Sequence, residues 1–198
     1  MIAIIDYGAG NLFSVKNALD FLGVESEITK DAAALEQADK LILPGVGAFP
    51  DAMKMLHQSG LVATIKAQAQ KKPLLGICLG MQMLFDKAFE FHECDGLGLI
   101  GGTVNKIESG GLKIPHIGWN DLTPLNPCPM MAGVPNQSYV YFVHSFCADT
   151  PDENIAAYTI YGQRIPALVN RGMVYGAQFH PEKSGSVGLT MLKNFCEL

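Results

Sequence analysis

The chain has 198 residues, 48% hydrophobic and 17% charged, with a net charge of −5. That length suits one domain over residues 1–198, on a prior of about 150 residues per domain, and a negative balance argues against a nucleic-acid partner, which calls for a positive face. No apolar run approaches the ~20 residues of a membrane span, and Met1–Asp6 lacks the basic flank of a signal peptide, so no membrane partner and a cytoplasmic location are expected.

Ile2–Ile5 is a continuous β-rich run, the pattern of a strand buried on both faces. Asn11 is placed to cap a helix carrying Leu12, Val15, Leu19 and Leu22 at helical spacing, with Gly23 as its stop. Val24–Ile28 reads as a second strand and Lys40–Leu43 as a third, broken by Pro44-Gly45-Val46-Gly47. Helix follows from about Pro50 to Lys71, interrupted at Gly60. Pro73–Ile77 is a fourth strand that runs into Cys78 and a helix ending near Phe89. This order implies an α/β fold: a mostly parallel central sheet flanked by helices on both faces. The second half adds short strands at Thr103–Ile107, Ser138–Phe146, Ile155–Ile160, Arg164–Val169 and Met173–Phe179, then a helix over Val187–Phe195.

Gly76-Ile77-Cys78-Leu79-Gly80 is G-x-C-x-G at a strand–helix junction, the nucleophile-elbow pattern with sulfur in place of oxygen. The helix start behind Cys78 favours a thiolate, and the Leu79 N–H is a ready oxyanion donor. The same spacing also suits a buried inert cysteine between two packing glycines. A reactive cysteine needs a base and the base an orienter. His180-Pro181-Glu182 follows a strand, as Cys78 does, so both reach the carboxyl edge of a parallel sheet, where Glu182 can hold the imidazole. Gly45, Val46 and Gly47 also follow a strand and can turn N–H groups toward a developing oxyanion, although an ordinary turn reads the same way. Gly8-Ala9-Gly10 begins a dinucleotide fingerprint, but Phe13 stands where its third glycine belongs. The five cysteines are odd in number and form no C-x-x-C pair, which predicts reduced thiols and no structural metal. Trp119, the one tryptophan, suits either a core or an interface anchor.

These segments together resemble the class I (triad-type) glutamine amidotransferases. The likeness spans the chain: D-Y-G-A-G-N-L at Asp6–Leu12, P-G-V-G at Pro44–Gly47, G-I-C-L-G-M-Q at Gly76–Gln82, P-H-I-G-W-N at Pro115–Asn120, Y-F-V-H-S-F at Tyr141–Phe146 and Q-F-H-P-E-K-S-G at Gln178–Gly185. P-G-V-G and P-H-I-G-W-N narrow it to the glutaminase subunits of histidine biosynthesis. The resemblance implies catalysis by Cys78, His180 and Glu182 through a glutamyl thioester, with an oxyanion site formed by Leu79 and the Gly45–Gly47 segment. It assigns glutamine binding to Gln82, Glu90, His144, Ser145 and Phe146, although Glu90 sits in A-F-E where the family usually shows two adjacent acids. It implies no cofactor. It also implies a heterodimer with a separate (β/α)8-barrel cyclase that uses the ammonia to make imidazole glycerol phosphate and aminoimidazole carboxamide ribotide. Trp119, Asn120, Tyr141, Lys183 and Asn11 are expected toward that partner. A paralogue serving another synthase would share every motif.

Overall fold

The computed structural model describes residues 1–198. Its first half alternates strand and helix: β1 (Ile2–Ile5), α1 (Leu12–Phe21), β2 (Ser26–Thr29), α2 (Ala32–Gln37), β3 (Lys40–Gly45), α3 (Phe49–Gln58), α4 (Val62–Gln68), β4 (Leu74–Cys78) and α5 (Leu79–Gln82). The second half is mostly strand: β5 (Lys87–Ala88), β6 (Cys94–Asp95), β7 (Thr103–Lys106), β8 (His116–Asp121), β9 (Thr123–Pro124), β10 (Tyr139–His144), β11 (Phe146–Asp149), β12 (Ile155–Tyr161), β13 (Gln163–Arg171) and β14 (Val174–Ala177), with α6 (Gly185–Cys196) last. No helix is long and apolar enough to cross a membrane.

Eight strands form the central sheet in the order β2-β1-β3-β4-β14-β13-β12-β9. The five from β2 to β14 run parallel, and β13, β12 and β9 continue it antiparallel. Both faces are covered, and β1 shows how. Ala3 and Ile5 pack with Leu35 of α2, Phe49 and Met53 of α3 and Ile65 of α4, whereas Ile2 and Ile4 pack with Leu19 of α1 and Leu192 and Phe195 of α6. A strand sandwiched in this way has no solvent side to keep polar, hence its unbroken apolar run. β8 and β10 pair as a separate antiparallel ribbon, and β11, β7, β5 and β6 form a small sheet of their own.

The structure departs from the sequence reading at several places. β3 does not break at Pro44: the ladder continues with Pro44 opposite Ile77 and Gly45 opposite Cys78. Pairing to β1 has ended at Ile42, so the missing proline N–H interrupts no bond on that side. The helix expected to reach Phe89 is one turn, α5. The carbonyls of Met83, Leu84, Phe85 and Asp86 instead accept from the N–H groups of residues 96–100, which draws the chain out of helix. β2 begins at Ser26 rather than Val24. Helix α2, absent from the sequence reading, is capped by the Asp31 carboxylate on the Ala33 N–H. Asn11 stands at the cap position of α1, but its side chain accepts from the Ser14 hydroxyl at 2.8 Å and bonds no backbone N–H of the helix.

Candidate active site

Cys78 ends β4 in a strained conformation, φ 56° and ψ −114°, the elbow geometry that lifts a side chain off a sheet edge. The flanking glycines are required by contact. A Cβ on Gly80 would lie 1.9 Å from the Leu43 carbonyl oxygen, and one on Gly76 would lie 2.6 Å from that of Gly80. β14 is hydrogen-bonded directly to β4, with Ala177 opposite Ile77, so His180 emerges beside Cys78. Its backbone is pinned at both ends: the His180 N–H donates to the Tyr141 carbonyl at 2.9 Å, and the Ser184 hydroxyl donates to the His180 carbonyl at 2.6 Å.

His180 Nδ1 lies 2.8 Å from Glu182 Oε1, and the two side chains are only 4% and 1% exposed. That leaves Nε2 for the Cys78 sulfur. Burial opposes a charged imidazole, but hydrogen bonds and charge attraction from Cys78 and Glu182 outweigh it and raise His180 to about 9. A proton is therefore held between the sulfur and the carboxylate at neutral pH. Such an arrangement can attack a carbonyl carbon and protonate a leaving amine.

A cleft of about 400 Å³ opens over the sulfur, within the range of a small-molecule site. It is lined by Val46, Gly47, Cys78, Leu79, Gln82, Glu90, the stretch Val143–Phe146, His180 and Lys183, together with Pro115. Gly45 lies buried beneath, paired with Cys78. The N–H groups of Val46 and Gly47 donate to no protein acceptor, and Leu79 opens α5, so its N–H has no partner within that turn. All three are available to an oxyanion.

Gln82 spends both amide hydrogens on the protein, donating to the Phe146 carbonyl and to Gln178 Oε1 at 2.9 Å each. Its own carbonyl oxygen is left as an acceptor. Gln178, fully buried, is a residue the sequence reading missed; a polar side chain within a buried segment was the available signal. Glu90 Oε2 accepts from the Phe49 N–H at 2.7 Å, which ties it to the start of α3 just after the P-G-V-G segment.

Trp119 is 55% exposed, so it is no core residue. It sits opposite Tyr141 on the paired strand, ring centroids 6.0 Å apart. Asn120 turns its side chain the other way and donates to the Ile160 carbonyl at 3.1 Å. Lys183 is exposed at the cleft rim with no carboxylate partner in this chain. Asn11 follows Gly10, where an added Cβ would lie 3.1 Å from that of Pro44. All five cysteines are free, and burial pushes the thiols of Cys94, Cys128, Cys147 and Cys196 up, the last two to about 11.

The family model for glutamine amidotransferase class-I matches residues 3–198. The chain belongs to the class-I glutamine amidotransferase family. This amidotransferase is 50% identical over 196 residues to a Bacillus cereus protein called imidazole glycerol phosphate synthase subunit HisH, covering 98% of this chain and 93% of that one. It is 48% identical over the same span, with the same coverage, to a Bacillus thuringiensis protein of that name. Among solved structures, one described as glutamine amidotransferase superposes with a TM-score of 0.78 at 20% identity, covering 99% of this chain and 97% of that one. PurLQS from Thermotoga maritima gives 0.77 at 22%, with the same coverage. At such identities the likeness speaks to the fold: an α/β amidotransferase sheet.

Proposed function

We propose that this chain is the glutaminase subunit of an imidazole glycerol phosphate synthase in the cytoplasm, acting in histidine biosynthesis. The observation that carries the reaction is the strained Cys78 facing an imidazole held at 2.8 Å by a buried carboxylate. The identity of near full-length relatives supports the pathway.

In this reading Gln82 and Glu90 receive the α-ammonium of glutamine, and the wall Val143–Phe146 orients its side chain. The Cys78 sulfur attacks the amide carbon. The developing oxyanion is met by the N–H groups of Leu79 and of the Val46–Gly47 segment. His180 protonates the departing nitrogen, ammonia leaves, and a glutamyl thioester remains on Cys78. His180 then takes a proton from water, which attacks the thioester and releases glutamate and the thiolate. Glu182 keeps the ring oriented throughout, and the ammonia passes to a separate (β/α)8-barrel cyclase.

The test is a coupled assay with a histidine-pathway cyclase and its phosphorylated ligand. Glutamate release should depend on both. Cys78→Ala and Cys78→Ser should abolish it while keeping the complex. Turnover that survives either substitution, or complex formation lost in both, would count against the assignment.

A further inference from the structure

We infer that His116 is a positioning residue that joins strand β8, through His144, to the wall of the cleft. The inference rests on the proposed reading, in which that cleft binds glutamine and the outer side of β8, bearing Trp119, meets the cyclase.

Four hydrogen bonds lie in series. Asn120 Nδ2 is 3.4 Å from His116 Nε2, His116 Nδ1 is 3.0 Å from His144 Nε2, and His144 Nδ1 is 2.8 Å from the Phe146 carbonyl oxygen. That same oxygen accepts from Gln82 at 2.9 Å. The direction of every link is forced. A carbonyl only accepts, so His144 carries its hydrogen on Nδ1. Both rings are uncharged at neutral pH, because burial holds each at about 4. His144 Nε2 is then a lone pair that accepts from His116 Nδ1–H, and His116 Nε2 is left to accept from the Asn120 amide. Asn120 is oriented in turn by the Asp121 N–H, which donates to its Oδ1 at 3.0 Å.

The chain of bonds is also held in place. His116 stacks against Phe142 and Tyr161, at centroid distances of 4.8 and 4.0 Å. An apolar ring would pack there as well. A histidine adds a directed donor to His144, and His144 fixes the carbonyl on which Gln82 hangs. His116 and His144 are direct cross-strand partners, as are Trp119 and Tyr141. Alternation along β8 puts Trp119 outside and His116 inside, so a shift of β8 against β10 acts on the bond between His116 and His144.

The experiment compares wild type, His116→Phe and His116→Asn in complex with the cyclase, by steady-state glutaminase kinetics and by ¹H–¹⁵N spectra of the histidine rings. Phenylalanine keeps the stacking and removes both bonds. Asparagine sets an amide N–H where Nδ1–H was. His116→Phe should raise KM for glutamine about tenfold, the size of one lost buried hydrogen bond, with kcat within about threefold. His116→Asn should recover most of that KM. The spectra should show Nδ1–H tautomers on both rings, with the His144 signals displaced only in His116→Phe. An unchanged KM in His116→Phe, equal damage in both variants, or an Nε2–H tautomer on either ring would overturn the inference. A wild-type complex that hydrolyses no glutamine would overturn the functional reading instead, and the ring tautomers would still test the link.

Discussion

Glu182→Gln isolates the charge on the third member of the candidate triad while leaving its shape. Glutamine can still accept from His180 Nδ1, so the ring keeps its orientation and loses only the negative partner at 2.8 Å. A hydrogen bond to a charged group contributes about 1.5–3 kcal/mol, and near-complete exclusion of water keeps this one from being screened. At about 1.4 kcal/mol per decade, the expected loss in kcat/KM is about 10- to 150-fold. The pH profile supplies an independent reading. His180 holds its proton up to about 9, so activity that needs the imidazolium falls as pH rises through that region. Without the carboxylate the fall should move about 1–2 units toward acid. Folding should survive, because the weakening of the bond to His180 is offset by removal of a buried charge whose Oε2 has no hydrogen-bond partner. Glutaminase rates of the complex from pH 6 to 10, with circular dichroism to check the fold, measure both effects. Activity within about threefold of wild type and an unmoved profile would refute an electrostatic role for Glu182.

Trp119→Ala should weaken the complex with the cyclase about 30-fold, as loss of an aromatic anchor worth about 2 kcal/mol does, and leave the thermal unfolding of the isolated chain unchanged; titration calorimetry and a melting curve decide. Acid should destabilise the fold through His116 and His144. Their folded values near 4 lie below the ordinary 6.5, so the stability they contribute is present above pH 6.5 and is lost as pH falls toward 4. The loss should be on the order of 3 kcal/mol per ring. Urea midpoints at pH 7 and 4.5 should differ accordingly, and His116→Phe should shrink the difference.

The parts of the site legible in the sequence are those that local geometry alone demands. G-x-C-x-G is readable because the close approach of Gly80 to Leu43 admits no side chain, and H-P-E because an orienter two residues from its base needs no long-range knowledge. The one-turn length of α5 was not legible: Met81–Phe89 carries a fair helical pattern, and what ends the helix is the claim of residues 96–100 on its carbonyls. Gln178 and His116 escaped for the same reason. Each works through a partner on another strand, Gln82 in one case and His144 in the other, and a single chain does not announce its registers. Asn11 shows the converse: a residue suited to capping that spends its side chain on Ser14.

Cys78 and His180 depart from adjacent strands in the middle of the sheet, about 4.8 Å apart in the hydrogen-bonding direction. The spacing of the two strands they leave is thus a repeat distance of the backbone ladder, held by the hydrogen bonds between β4 and β14. The Val46 and Gly47 N–H groups stand on the short connection between β3 and α3 and are bound to nothing. On the proposed reading, turning one peptide plane there would supply or remove an oxyanion donor without displacing nucleophile or base. The bonded strands fix where nucleophile and base stand, and this connection is the part of the proposed site whose N–H groups no protein acceptor holds.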